Sequence, residues 1–232
     1  MRPIEAAVAS VHQVYNMQRK RSVGRKLKPK TENQAKYIRS MTDSDVTICT
    51  GPAGTGKTTI AVGLACQYIL ENKVDKIIVT RPVVESGKGL GFLPGTFQDK
   101  IHPYLVPIFE EMNLYLSKQN AEKFLKEGQV EICPLEYMRG RNFHNSFIIL
   151  DEAQNATYQQ IKMLITRMGS KSKCVINGEI EQTDLPHSIS GALEECMERL
   201  DNLAGVGIVE LERCDIIRNK IISSILERME DD

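Results

Sequence analysis

No window of the 232-residue chain approaches about 18 uninterrupted apolar residues, so no membrane span is expected. The N-terminus, MRPIEAAVAS, lacks the apolar segment of a secretory signal, and a cytoplasmic protein is expected. None of Cys49, Cys66, Cys133, Cys174, Cys196 and Cys214 forms a CxxC pair, which removes the commonest zinc spacing. Most sit in apolar runs, as Cys49 does in VTICT and Cys174 in KCVIN, and read as small buried hydrophobes in a reducing compartment. Internal repeats and low-complexity tracts are missing too. There is no net charge, since 30 Lys and Arg balance 30 Asp and Glu. That balance hides an asymmetry. Residues 1–30 hold Arg2, Arg19, Lys20, Arg21, Arg25, Lys26, Lys28 and Lys30 against Glu5 alone. Such an arm suits a polyanion partner, or serves as a solvated tail; charge by itself does not choose.

What is present is ordinary for a globular chain: 41% hydrophobic and 26% charged residues, enough for one domain with a substantial core. The composition shift predicts a basic arm over 1–30 and a single domain over 31–232. TENQAKYIRSM, residues 31–41, reads as a helix capped by Thr31, with Ala35, Ile38 and Met41 on one face. Six short runs follow: DVTICT, KIIVT, QVEIC, FIIL, KCVIN and GIVEL. Each is nearly continuous in Val, Ile and Leu, as strands buried on both faces of a parallel sheet are. Their alternation with helical stretches predicts an α/β fold, a largely parallel sheet with helices on both faces. Ligands in such sheets lie at the carboxyl ends of strands. Residues 86–127 interrupt the alternation. They open as a Gly-rich loop, continue as helix from about Phe97 to Glu127, and read as an insertion. Beyond Asp215, Ile216, Ile217, Ile221 and Ile225 recur at helical spacing.

Residues 51–58, Gly51-Pro52-Ala53-Gly54-Thr55-Gly56-Lys57-Thr58, match GxxxxGK[ST] in full, between a strand-like run and the helical TIAVGLACQYIL that opens at Thr59. Glycines let the loop wrap phosphate and turn successive N–H groups inward, and the helix adds its positive end. Lys57 is expected to reach the β- and γ-phosphates, and Thr58 to ligate Mg²⁺. Phe147-Ile148-Ile149-Leu150-Asp151-Glu152 supplies a second half. Asp151 at a strand tip suits the Mg²⁺ shell, and Glu152 suits polarising an attacking water. An acidic pair also favours a helix first turn, and the two roles are compatible. Asn72-Lys73-Val74-Asp75 resembles a guanine-reading NKxD but falls too early in the chain and has no DxxG companion. Asn72 reads instead as a helix C-terminal residue. Gln34 carries an amide able to pair with an adenine edge, or is an exposed helix residue.

GPAGTGKTTIAVGLA, TRPVVESGKGLGFLPGTFQDKIHPYLVPIFE, YMRGR and FIILDEAQNATYQQIKMLITRMG together resemble the PhoH-like proteins, a P-loop ATPase family similar to the RecA-like core of superfamily 1 helicases. The resemblance runs from about Thr31 to the C-terminal helix. It implies ATP binding, single-stranded RNA or DNA as partner, and a homo-oligomer, often a hexameric ring. By its pattern Gln34 is an adenine-reading Q motif, residues 51–58 are Walker A, and Asp151, Glu152 and Gln154 form Walker B. NGEIEQ is similar to motif III, with Gln182 as γ-phosphate sensor and Glu179 in place of the usual Asp. Arg218 in DIIRNK matches a proposed arginine finger, and Arg81 in TRP a motif Ia position near nucleic acid or a neighbouring subunit. Nucleic-acid contact is expected from Arg81, Lys88, Lys100, Arg139 and Arg141, whose cationic heads suit phosphate. Phe92, Phe97, His102 and Tyr104 would stack on bases, or pack the insertion against the core.

The expectation from sequence is an ATP- and Mg²⁺-dependent ATPase with RNA-helicase-like or translocase activity, working as an oligomer. Two alternatives stand beside it. A small-molecule kinase shares the P-loop but must exclude water, which the Glu after Asp151 disfavours. A nucleotide-gated interaction module without unwinding activity is compatible with the Glu179 substitution.

Overall fold

A computed structural model describes residues 24–82, 97–180 and 192–217, together with Arg228, and over 97–105 the backbone alone. Six parallel strands form one sheet: β1 (Val46–Thr50), β2 (Lys76–Arg81), β3 (Val130–Pro134), β4 (Ser146–Leu150), β5 (Lys173–Gly178) and β6 (Val206–Glu210), in the order β3-β2-β4-β5-β1-β6. All six apolar runs of the sequence are strands. The central strands are buried along their length, whereas β3 and β6 at the edges are half-exposed. β5 lies between β1 and β4, pairing Ile48 with Ile176 and Ile148 with Cys174. The residues that end β1, β4 and β5 therefore emerge side by side.

Alternate strand residues feed two cores, as the period of a strand requires. Cys49, Val79, Ile149 and Val175 face one side, covered by α1 (Glu32–Asp43), α2 (Lys57–Leu70), α3 (Phe97–Leu116) and α4 (Lys118–Lys126). Ile48, Ile78, Ile148 and Ile176 face the other, beneath the 3₁₀ turn Leu135–Met138, α5 (Tyr158–Ile165) and α6 (Ala192–Leu200). Thr157 and Gln160 close a capping box at the start of α5.

Three sequence expectations shift. The stretch over 86–127 is helical where described, but it is the crossover from β2 to β3 and not an appendage. Ile108, Met112 and Leu116 of α3 are fully buried in the first core. Gly63 of α2 allows this close approach, because a Cβ there would stand 2.8 Å from the Tyr115 ring. The arm boundary also moves. Residues 24–30 already lie on the core, with the Arg25 N–H on Leu114 O at 2.9 Å and Leu27 packed against the first core. Composition missed this because one leucine among lysines supplies the contact. Finally, the buried stripe of α1 is Gln34, Tyr37 and Met41, rotated from the apolar face that Ala35 and Ile38 suggest. Both polar tips find buried partners, so burying them costs little. Thr31 caps the helix, accepting from the Gln34 N–H at 3.2 Å. Of the helix expected beyond Asp215, Ile216 and Ile217 follow the 3₁₀ turn Arg213–Asp215, and Ile221 and Ile225 lie outside the described residues.

Candidate functional site

The loop 51–56 joins β1 to α2 in a conformation that glycine makes accessible. Gly51, Gly54 and Gly56 hold φ of 141°, 85° and 89°. At Gly51 the restriction is also spatial, since a Cβ would stand 2.2 Å from Leu211 O. Lys57 reaches back over the loop and donates to Gly51 O and, at 3.0 Å, to Pro52 O. Burial lowers its pKa, while the carboxylates of Glu179, Glu152 and Asp151 oppose the shift. A cationic amine enclosed by loop carbonyls and carboxylates is positioned to exchange those carbonyls for phosphate oxygens.

The carboxyl end of β4 delivers Asp151, 2% exposed. Thr58 Oγ1 donates to Asp151 Oδ1 at 2.7 Å. Arg81, the last residue of β2, donates from Nε at 2.9 Å and Nη2 at 2.5 Å to Oδ2. Two hard oxygens, Thr58 Oγ1 and Asp151 Oδ1, thus converge at hydrogen-bonding distance beside the phosphate loop. That donor set suits Mg²⁺, which takes one or two protein oxygens and fills the rest of its shell with phosphate and water.

Glu152 follows in a left-handed conformation, φ 57°, which turns the chain from β4 into the 3₁₀ turn Ala153–Asn155. Its carboxylate enters a cleft of about 340 Å³ lined also by Gly54, Lys57, Thr58, Asp151, Asn177 and Glu179. Gln154 Nε2 donates to Glu152 Oε2 at 2.8 Å, and Gln154 Oε1 accepts from the Glu179 N–H at 3.1 Å. The carboxylate is therefore tied to the end of β5. Glu179, at the position expected to carry Asp, lines the cleft and anchors Gln154 through its backbone, a contact that side-chain length does not touch.

Gln34 is 2% exposed and pressed against the loop, not displayed on the helix surface. Its Nε2 donates to Thr55 O at 2.9 Å, and its Oε1 accepts from the Lys30 N–H at 2.8 Å. Beside it a second cavity of about 180 Å³ shares Gly54, Gly56 and Thr59 with the phosphate cleft, and Leu27, Ile60, Tyr115 and Ile217 are among its walls. Apolar walls with one amide at the edge suit a planar base. These walls were illegible in sequence, because they come from the arm, α2, α3 and the segment after β6. The Ile217 N–H donates to Gly54 O at 3.3 Å, and Asp215 Oδ2 accepts from Asn33 Nδ2 of α1 at 3.0 Å, which closes that segment over the loop.

The family model of PhoH-like proteins matches residues 26–230. The chain belongs to the PhoH-like protein family. A PhoH-like protein of Synechocystis sp. is 42% identical over 207 residues, 89% of this chain and 63% of its own length. A Bacillus subtilis PhoH-like protein is 40% identical over 208 residues, 90% and 65% respectively. The chain thus spans less than two thirds of these relatives. Among solved structures, the large terminase of a thermophilic bacteriophage shares the fold, with a TM-score of 0.56 at 12% identity over 88% of this chain and 51% of that one. The architecture of this PhoH-like chain is that of a P-loop NTPase.

Other expected positions fall differently. Arg81 stands at a strand end as motif Ia implied, yet its guanidinium engages Asp151 inside the site, not an outer surface. Arg141 is not brought to the cleft. It grips Glu131 of β3 with both terminal nitrogens and lies over the Phe143 ring, centroid distance 4.8 Å. Lys76, which opens β2, joins the same carboxylate at 2.6 Å. Arg139 is exposed nearby. Gln182, Arg218, Lys88 and Phe92 lie outside the described residues, as do the side chains of Phe97, Lys100, His102 and Tyr104. Asn72 ends α2 with φ 55°, and the Lys73 N–H donates to Tyr68 O at 2.8 Å, a helix-ending turn with no guanine-reading geometry.

Proposed function

We propose that this chain binds ATP with Mg²⁺, hydrolyses it, and couples hydrolysis to single-stranded RNA or DNA as a homo-oligomer, in a helicase-like or translocase role. The observation that carries the reading is the convergence of Lys57, the Thr58–Asp151 pair and Glu152 on one cleft. Phosphates fit the loop, where N–H groups, a helix N-terminus and Lys57 point inward. Mg²⁺ held by Thr58 and Asp151 would neutralise charge on the bridging phosphate oxygens. Lys57 moves from the Gly51 and Pro52 carbonyls to the transferring phosphoryl. Glu152, its Oε2 fixed by Gln154, keeps Oε1 to orient a water for in-line attack and to accept its proton. Gln34 reads the base edge while Leu27, Ile60, Tyr115 and Ile217 cover its faces. Gln182 senses the terminal phosphate.

The water-orienting carboxylate favours hydrolysis over a kinase reading, in which an acceptor must displace water. It also favours turnover over a purely nucleotide-gated interaction module. Helicase action normally places two such cores around one nucleotide. We therefore propose that a neighbouring copy, in a ring such as a hexamer, supplies the second face and that Arg218 acts there. Arg81, Lys88, Lys100 and Arg139 remain proposed nucleic-acid contacts, and so does Arg141 should Glu131 release it. The test is ATP hydrolysis with Mg²⁺, with and without single-stranded RNA and DNA, with Lys57→Ala as control. Stimulation by a strand supports the coupled motor. Turnover that requires a metabolite acceptor overturns it in favour of a kinase, and tight binding without turnover favours the interaction module.

A further inference from the structure

Tyr37 on α1 and Asn177 on β5 meet inside the molecule, both fully buried, with the phenol donating to Asn177 Oδ1 at 2.5 Å. The other half of the amide, Nδ2, is buried and has no hydrogen-bond partner. Among the described residues it is the one unpaired buried side-chain atom that belongs to a residue lining the 340 Å³ cleft. An orphaned buried donor is destabilising, and each one calls for an explanation. Tyr37 does not supply it. The phenol needs only an acceptor, which a carboxylate or hydroxyl at position 177 would provide without leaving an N–H unpaired. Burial pushes the Tyr37 phenol well above its ordinary range, so it stays a donor, and its single proton fixes Oδ1 toward α1 and Nδ2 away from it.

Position in the sheet adds a second constraint. β5 is flanked by β1, which carries the phosphate loop, and by β4, which carries Asp151 and Glu152. Asn177 pairs in register with Cys49, two residues before Gly51, and precedes Gly178 and Glu179 of the cleft wall. The amide therefore lies on the floor between the phosphate loop and the water-orienting carboxylate. We propose that Asn177 Nδ2 donates a hydrogen bond to a terminal phosphate oxygen of the bound nucleoside triphosphate, and that Tyr37 is the positioning residue that holds it there. This rests on the nucleotide reading above. The same helix carries Gln34, one turn before Tyr37, on the carbonyl of Thr55. Through α1, the base end and the terminal phosphate end of the site share one rigid support.

The test compares wild type with Asn177→Ala, Asn177→Asp and Tyr37→Phe, measuring dissociation constants for MgATP and MgADP, turnover, and nucleotide-free thermal midpoints. A bond to the third phosphate alone predicts that the preference for ATP over ADP falls roughly tenfold in Asn177→Ala, with turnover down about 10–100-fold and ADP affinity kept. Asn177→Asp keeps the acceptor for Tyr37 but turns a carboxylate on the phosphate, so its ATP loss exceeds that of the alanine. Tyr37→Phe gives a smaller loss of the same kind. Equal losses for ATP and ADP with a lowered midpoint, or unchanged preference and turnover in folded variants, overturn the proposal. If Asn177→Ala does not fold, Asn177→Asp and Tyr37→Phe decide. Failure of the wild type to bind either nucleotide removes the nucleotide reading itself, whereas wild-type binding with indifferent variants removes this proposal alone.

Discussion

Arg81 Nη2 stands 2.5 Å from Asp151 Oδ2 while Thr58 holds the other oxygen of the same carboxylate. The guanidinium thus supplies positive charge beside the place where a phosphate-bound dication would sit. Arg81→Ala leaves a carboxylate that is 2% exposed without its cation. Breaking such a pair costs about 3 kcal/mol. The expected outcome is a lowered thermal midpoint without ligand and a smaller deficit with MgATP, because the dication then restores the missing charge. An equal deficit in both conditions would show that the arginine serves only the strand end.

Glu152→Gln is expected to bind ATP about as tightly as wild type and to hydrolyse it at least about a hundredfold more slowly, since an amide accepts no proton. Single-turnover assays beside equilibrium binding check this. Normal turnover would remove Glu152 from the water-orienting role.

Gln34→Ala removes the bond to Thr55 O and the amide at the edge of the base cavity. ATP affinity is expected to drop about tenfold, as loss of one or two hydrogen bonds would give. Discrimination against GTP should shrink with it. Competition between the two nucleotides reads both effects. Lost affinity with undiminished discrimination would confine Gln34 to supporting the loop.

Glu131 is held at about 2 against an ordinary value of 4.5, first by its bonds to Arg141, against an opposing effect of burial, and also by Lys76. A depressed carboxylate contributes stability above its unfolded value and loses it as pH falls through the folded one. Wild type should therefore melt above Glu131→Gln at pH 7, and the gap should close between about pH 4.5 and 2. A gap independent of pH would mean that the guanidinium does not need the charge.

Arg218→Ala is expected to lower turnover by about 10³-fold or more in the assembled protein, as loss of an arginine finger does. Mixing it with Glu152→Gln subunits should recover part of the activity if the finger acts across an interface. A strict monomer by light scattering with MgATP, or no recovery at any ratio, would end the ring proposal.

Much of the nucleotide cradle was legible because its chemistry is local. Gly51 to Thr58 is one loop, Asp151 and Glu152 are one strand tip, and the six strands announce themselves by uninterrupted Val, Ile and Leu. What stayed hidden depends on partners distant in sequence. Arg81 and Arg141 carry the same guanidinium and the same expectation of phosphate. Only the pairing of β2 with β4 puts the first on Asp151, and only the pairing of β2 with β3 gives the second Glu131 beside Lys76. The walls of the base cavity and the Tyr37–Asn177 pair have no local signal, since each joins segments that local periodicity cannot relate. Sequence by itself determined the element types, the phosphate loop and the acidic pair, because backbone conformation and hydrophobic period are short-range properties. Tertiary structure alone decided which cations are consumed by carboxylates and which buried amide faces the cleft, because strand order sets those distances.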